Sequence, residues 1–307
     1  MKIIKHDTAK EINYFNLEKF VNNIKLEPKL LEHMQETNIN FDKYFKQLSK
    51  YNDEFMLYFW ISLAYDEIKN SNFVERHNFK NFDLSISDLF FDKLSISHNR
   101  IHNIHKFVMK NENETEKIGK YRKTDVRVSN ITQDTEEIFW YGAKPEDIKK
   151  FMDSFIKIYK TNNISIIDSN PFLKSALIHL LFIKIHPYYD GNGRSARIIH
   201  NIKFTETLNR LYNMNLKICP VNLSESINLN LISYMKSFDN IYFDLKHDNN
   251  DAINYWFDFI LNMYDEQLYN KKNMINNIDE IMERIITIKE KINLNDIKLP
   301  KNSRIRK

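Results

Sequence analysis

The sequence predicts an all-α fold, a helical bundle interrupted by a single β-hairpin. Three observations carry this. Glycine and proline are scarce, four and six in 307 residues, so long segments run without a chain breaker. Apolar residues recur at helical spacing in most segments. Alternation with period two is convincing only once, between Val126 and Tyr141, where a polar turn separates two β-branched or aromatic runs.

Taken in order, residues 1 to about 55 carry short amphipathic patterns, Phe15-Leu17-Phe20-Val21-Ile24 and Leu30-Leu31-Met34. They predict helices and no chemistry. Phe55 to Val74 predicts one long helix, with Phe59, Ile61, Tyr65, Ile68 and Phe73 at helical spacings. Near its end, Ser71 and Glu75 lie one turn apart, which alone is ordinary helix-surface chemistry. His98, His102 and His105 share one helical face. That spacing suits a metal, but no carboxylate nearby completes a ligand set, which favours a plain histidine-bearing face.

The hairpin follows Gly119-Lys120-Tyr121-Arg122, and Lys144-Pro145-Glu146-Asp147 opens a helix to about Tyr159, with proline and acids in its first turn. Pro171 to Ile185 is apolar on nearly every face behind the cap candidates Ser169 and Asn170, so it predicts a buried helix. Pro187 ends it by biasing His186 out of the α region.

The chemistry concentrates in the next loop, His186-Pro187-Tyr188-Tyr189-Asp190-Gly191-Asn192-Gly193-Arg194-Ser195-Ala196-Arg197. Gly191 and Gly193 permit positive φ, which turns successive N–H groups toward one point. A glycine turn entering a helix N-terminus makes an anion site, and Arg194 and Arg197 add donor forks suited to phosphate oxygens. Asp190 is a candidate ligand for a hard cation such as Mg2+ bridging phosphates. His186 has the only ordinary pKa near neutrality here, which suits it to take a proton from a hydroxyl. The Walker loop is excluded, because no lysine followed by Ser or Thr comes after the second glycine.

These residues resemble the signature of the Fic (filamentation induced by cAMP) family, His-Pro-Phe-x-Asp/Glu-Gly-Asn-Gly-Arg-x-x-Arg, with Tyr188 in place of its Phe. The resemblance implies a Fic-type helical bundle whose hairpin is a flap over the active site. It implies protein adenylylation, transfer of AMP from ATP to a Ser, Thr or Tyr hydroxyl of a protein, with ATP and Mg2+ as cofactors. His186 is then the catalytic base and Asp190 the metal ligand. The loop from Asp190 through Arg197, Ser195 and Ala196 included, binds nucleotide with Val126, Arg127, Val128 and Ser129 of the hairpin, and Tyr242 and Asn249 match nucleobase-side positions. Ser71 and Glu75 resemble the family's inhibitory motif, whose glutamate pairs with the second arginine, here Arg197. Arg76 stands where that motif has Gly or Asn.

Beyond the loop, Ile227 to Tyr234 and Asp239 to Leu245 predict short helices. Asp251 to Tyr264 predicts an amphipathic one, and residues 265 to about 292 a charged one ahead of the basic Lys301 to Lys307. Family relatives often continue into a winged helix there. The expected division is 1–85, an N-terminal helical region with the inhibitory helix; 86–264, the catalytic core; and 265–307, a C-terminal helix and tail. A net charge of +4 argues against a large nucleic-acid surface, and a homo-oligomer stays open. The single cysteine, Cys219, excludes an intrachain disulfide. With neither a secretory leader nor a membrane-spanning run, a cytoplasmic location is expected. The partner implied is a protein with an acceptor hydroxyl, this chain itself included. Two alternatives remain: the same pocket with another nucleotide donor, and a nucleotide-binding regulatory module without transfer activity.

Overall fold

The structure, a computed structural model, describes residues 2–5, 16–51, 53–75, 95–110, 116–131, 134–162, 166–213, 216, 219–221, 223–238, 240–242, 248–276, 283 and 286. Helix α1 (Leu17–Asn22), α2 (Pro28–Leu48), α3 (Asp53–Val74) and α4 (His98–Val108) precede the hairpin β2 (Arg127–Ile131) and β3 (Thr135–Tyr141). After it come a 3-10 turn (Pro145–Asp147), α5 (Ile148–Lys160), α6 (Pro171–Ile185), α7 (Asn192–Tyr212), α8 (Ser224–Leu229), α9 (Leu231–Lys236) and α10 (Asn250–Asn276).

Helix α6 is the centre, buried at every position. Asn170 starts it by accepting from Leu173 N–H at 3.0 Å, with Pro171 in the first turn. It packs against α5, α7 and α10. Leu177, Leu180, Leu181 and Phe182 are wholly inaccessible, and each such side chain contributes about 1.5–3 kcal/mol by leaving water. Because all its faces are covered, the loop that follows is attached to an immobile post.

One strand lies outside the expected hairpin. Lys2–Lys5 forms β1, parallel to β3 with Ile3 opposite Glu136, so the sheet order is β1-β3-β2. Two isoleucines between lysines are too short a run to show a period. Glu136, buried in the middle strand, takes a fork from Arg127 at 2.6 and 3.0 Å and the Ser129 hydroxyl at 3.0 Å. Strand β2 carries a bulge between Val128 and Ser129.

The C-terminal expectations shift in detail. A break at Asn230 separates α8 from α9. Of the helix expected over 239–245, residue 240 is a turn and 241–242 are irregular, and the rest lies outside the described residues. The helices expected on either side of residue 264 run together as α10 as far as Asn276; of the expected continuation to about 292, all but residues 283 and 286 lies outside the described residues. Among the described residues, no helix is long and apolar enough to cross a membrane.

Helix α2 lies along α10, and His33 joins them through Nδ1 to Asp258 at 2.7 Å and Nε2 to Asp265 at 3.0 Å. Burial pulls its pKa down, but the two carboxylates more than reverse this and it ends raised. Stability from a raised histidine is fully present below the ordinary value of about 6.5 and is lost as pH rises through the folded value. His33→Gln should therefore cost about 1 kcal/mol at pH 6, a figure held low because Asp258 is partly exposed. At pH 8.5 the cost should be close to nothing, read as thermal midpoints of variant and parent.

Candidate active site

At the end of α6, His186 adopts the left-handed conformation, φ 53° and ψ 60°, and its N–H caps Phe182 O at 3.0 Å. Pro187 explains the exclusion from the right-handed helix, and a non-glycine residue is strained there. The ring Nδ1 lies 3.1 Å from Ile183 O. A carbonyl can only accept, so Nδ1 carries the hydrogen and Nε2 keeps its lone pair. Burial pushes the ring down to about 4, helped by the Arg122 charge and opposed by Ile183 O, Glu75 and Asp190. The imidazole is therefore a neutral base at ordinary pH.

The following turn is closed by Asn192, whose Oδ1 accepts from Tyr188 N–H at 2.9 Å and whose Nδ2 donates to Tyr188 O at 2.8 Å. Gly191 caps the start of α7 at φ 72°, and a Cβ there would lie 2.6 Å from Met109 Sδ. The first bond of the α7 ladder is Ser195 N–H to Gly191 O at 3.0 Å, so the Asn192 and Gly193 N–H groups precede it, as an anion site needs. Gly193 departs from expectation, since its φ is not positive. It is glycine for space: a Cβ would collide with Glu75 Oε1.

Asp190 points one oxygen at Gly191 N–H, 2.6 Å away. The other reaches Arg194 only at 3.5 Å, on a side chain half exposed. A carboxylate oxygen presented this way fits Mg2+, which binds through one or two carboxylates and completes its shell with phosphate oxygens and water. Among the described residues, no group of three His, Cys, Asp or Glu forms a metal site.

Arg194 is buried and donates to Val108 O and Met109 Sδ, both at 3.2 Å. Arg197, also buried, is held by α3: Nε donates to Ser71 Oγ at 2.8 Å, and Nη2 to Ser71 O at 2.9 Å and Glu75 Oε1 at 2.8 Å. Its Nη1 is buried and has no hydrogen-bond partner among the described residues. Glu67, one turn before Ser71, accepts from Ser224 N–H at 3.1 Å and from its hydroxyl at 2.5 Å. One face of α3, continued one residue past its end to Glu75, thus presents three polar side chains a turn apart. Arg76 lies outside the described residues.

The three histidines of α4 are held by protein groups. His98 meets Tyr121 OH at 2.7 Å and Asp153 at 2.8 Å. His102 Nδ1 meets the Tyr188 hydroxyl at 2.8 Å, which answers how a buried tyrosine replaces phenylalanine. His105 accepts from Gly119 N–H at 2.9 Å, donates to Asp190 O at 2.9 Å and stacks on Tyr188 with centroids 3.7 Å apart. A double-mutant cycle of Tyr188→Phe and His102→Leu, read by denaturant unfolding, should give a coupling of about 1 kcal/mol. Additive single effects would show the pair to be incidental.

From the hairpin, Val126 lies beside the site: a Cβ on Gly142 would sit 3.1 Å from both Val126 Cγ2 and His186 Cβ. Arg127 and Ser129 turn to Glu136 instead, while Val128 pairs with Trp140. Ser195 and Ala196 are fully buried. Tyr242 N–H donates to Asn249 Oδ1 at 2.7 Å, ahead of α10. Sequence reasoning did not assign Arg122, which donates to carbonyls on both sides of the site; the Gly-x-Tyr-Arg run was its only signal.

Residues 95–202 match the Fic/DOC family. The stretch takes in the hairpin and the histidine loop and leaves out Ser71 and Glu75. The chain is 34% identical over 107 residues to "Protein adenylyltransferase Fic" of Nematostella vectensis, covering 35% of this chain and 22% of that protein. It is 30% identical over 111 residues to "Protein adenylyltransferase fic-1" of Caenorhabditis elegans, covering 36% and 19%. The match thus spans only about a fifth of each relative's length. Its fold resembles a Fic family protein from Desulfovibrio desulfuricans G20, with TM-score 0.56, 14% identity and coverage of 81% of this chain and 76% of that one. It also resembles Fic-1 (aa134–508) from C. elegans, with TM-score 0.53, 12% identity and coverage of 78% and 70%. At these identities the two structures speak for the fold alone.

Proposed function

Because this chain belongs to the Fic/DOC family through residues 95–202, we propose that it is a protein adenylyltransferase restrained by its own Glu75. The observation that carries the reading is the His186 ring, whose Nδ1 is fixed on Ile183 O so that the Nε2 lone pair is the available one. Asp190 and the start of α7 follow within the same turn.

In this reading His186 Nε2 takes the proton of a Ser, Thr or Tyr hydroxyl as its oxygen attacks the α-phosphorus of ATP. The new O–P bond forms as the bond from the α-phosphorus to the bridging oxygen breaks, and pyrophosphate leaves. The N–H groups of Asn192 and Gly193 stabilise the charge that develops on the phosphate oxygens. Mg2+, when held by Asp190, supplies positive charge across the phosphates. Arg194 and Arg197 orient the outer phosphates, and Glu75 occupies Arg197 until α3 moves. Val126 of the hairpin lines the approach, and Tyr242 with Asn249 is assigned to the nucleobase side. The relatives' printed names support adenylyl as the group transferred.

Parallel incubations with ATP labelled at the α- or the γ-phosphate test this. Label should enter protein from the α-position only. Label entering from the γ-position would make the enzyme a kinase and end the proposal.

A further inference from the structure

We propose that Arg122 is the positioning residue that holds His186 in its left-handed conformation and so keeps Nε2 aimed at the acceptor hydroxyl; the aim at a hydroxyl rests on the adenylyltransferase reading. A helix end leaves carbonyls in need of donors, and a buried end cannot use water. After α6, three successive carbonyls are satisfied from the base of the hairpin. Ile185 O accepts from Ala143 N–H at 3.0 Å and Pro187 O from Arg122 N–H at 3.0 Å, while His186 O accepts from Arg122 Nε at 2.8 Å. Arg122 thus supplies two of the three.

The rest of its fork reaches the chain on either side of the hairpin, Nη1 to Thr124 O at 2.7 Å and Nη2 to Ala143 O. One planar group therefore ties the segment leading into the hairpin, the segment leaving it and the backbone of the base. The space around it is closed. A Cβ on Gly142 would fall 2.6 Å from Arg122 Nη2 and 3.1 Å from His186 Cβ, so glycine lets guanidinium and histidine come together. Lysine cannot reproduce this, because one ammonium lacks the spread of a rigid fork.

Nothing else in the loop restrains the His186 carbonyl, and a left-handed non-glycine residue persists only where its surroundings over-determine it. Released, the peptide would relax and turn the ring off its line. The anion site would be untouched, since Asn192 and His105 hold the turn that forms it. The effect expected is on the chemical step and not on nucleotide affinity. A small misplacement of a reacting group suffices for a loss of about 100-fold.

The test uses the full chain in the Glu75→Gly background, with R122K and R122M. Measured are kcat, KM for ATP, binding of a fluorescent ATP analogue and the thermal midpoint. R122K should lower kcat about tenfold and R122M about 100-fold, with both nucleotide constants within about twofold of the parent. Either folded variant matching the parent kcat would overturn the proposal. So would kcat and nucleotide affinity falling together, the mark of general loosening. If R122M does not fold, R122K decides. If the parent itself transfers nothing, the functional reading has failed, and the inference is then read from the His186 13Cε1 resonance. That resonance should move in R122K; an unmoved one refutes the backbone role.

Discussion

His186→Ala should lower nucleotide transfer by about 100- to 10,000-fold, the range general acid–base catalysis commonly supplies, while ATP binding stays within about twofold. The separation follows from the geometry, in which the ring faces Ile183 and the phosphate donors come from α7. Burial holds the free imidazole near 4. The base form is the deprotonated one, so activity falls on acidification through the pKa and stays flat above it. Bound triphosphate is negative and favours imidazolium, which moves the acidic limb upward from 4. Transfer should therefore vary little between pH 7 and 8.5, with an acidic limb below the ordinary imidazole value of about 6.5. Stopped assays over that range check both points. Full activity in His186→Ala would remove the base from the mechanism.

Glu75→Gly should raise transfer about 10- to 100-fold. The carboxylate lies 2.8 Å from Arg197 Nη2 and against Gly193, where it occupies donors that a terminal phosphate would need. A charge-assisted hydrogen bond of about 1.5–3 kcal/mol converts to that range at 1.36 kcal/mol per tenfold. Arg197 is charged in either state, because a guanidinium is not deprotonated in proteins; burial opposes the charge, and Glu75, Tyr234 and Glu67 together more than restore it in the intact chain. Removing Glu75 leaves a buried cation still seated on Ser71. ATP should then bind with its terminal phosphate on Arg197, and its affinity should rise together with the rate. A Glu75→Gly chain no more active than the parent would remove the restraint from the account.

The histidine loop was readable from the sequence because its chemistry is local. Pro187 stops α6, Gly191 turns the chain, and a helix begins at once. Long-range geometry was not. Glu75 and Arg197 are 122 residues apart, and no spacing links them; the resemblance did. Gly193 looked like a flexible turn residue, whereas it makes room for a carboxylate arriving from another helix. Arg122 acts on backbone carbonyls, and a carbonyl leaves no mark in a sequence. The Tyr188 hydroxyl gave away its need for a partner, but only packing could say that His102 meets it. Strand β1 is too short to show a pattern and exists because β3 offers it an edge.

The most direct measurement is intact-mass spectrometry of the Glu75→Gly chain after incubation with Mg2+ and an equimolar mixture of ATP, GTP, CTP and UTP. Expected is an adduct on the chain, or on an added protein acceptor, with the mass of AMP, and none when His186→Ala is also present. An adduct from another nucleotide would keep the loop chemistry and change the donor. No adduct at all, or one that survives loss of the imidazole, would contradict the claim that this loop activates a hydroxyl against a bound triphosphate.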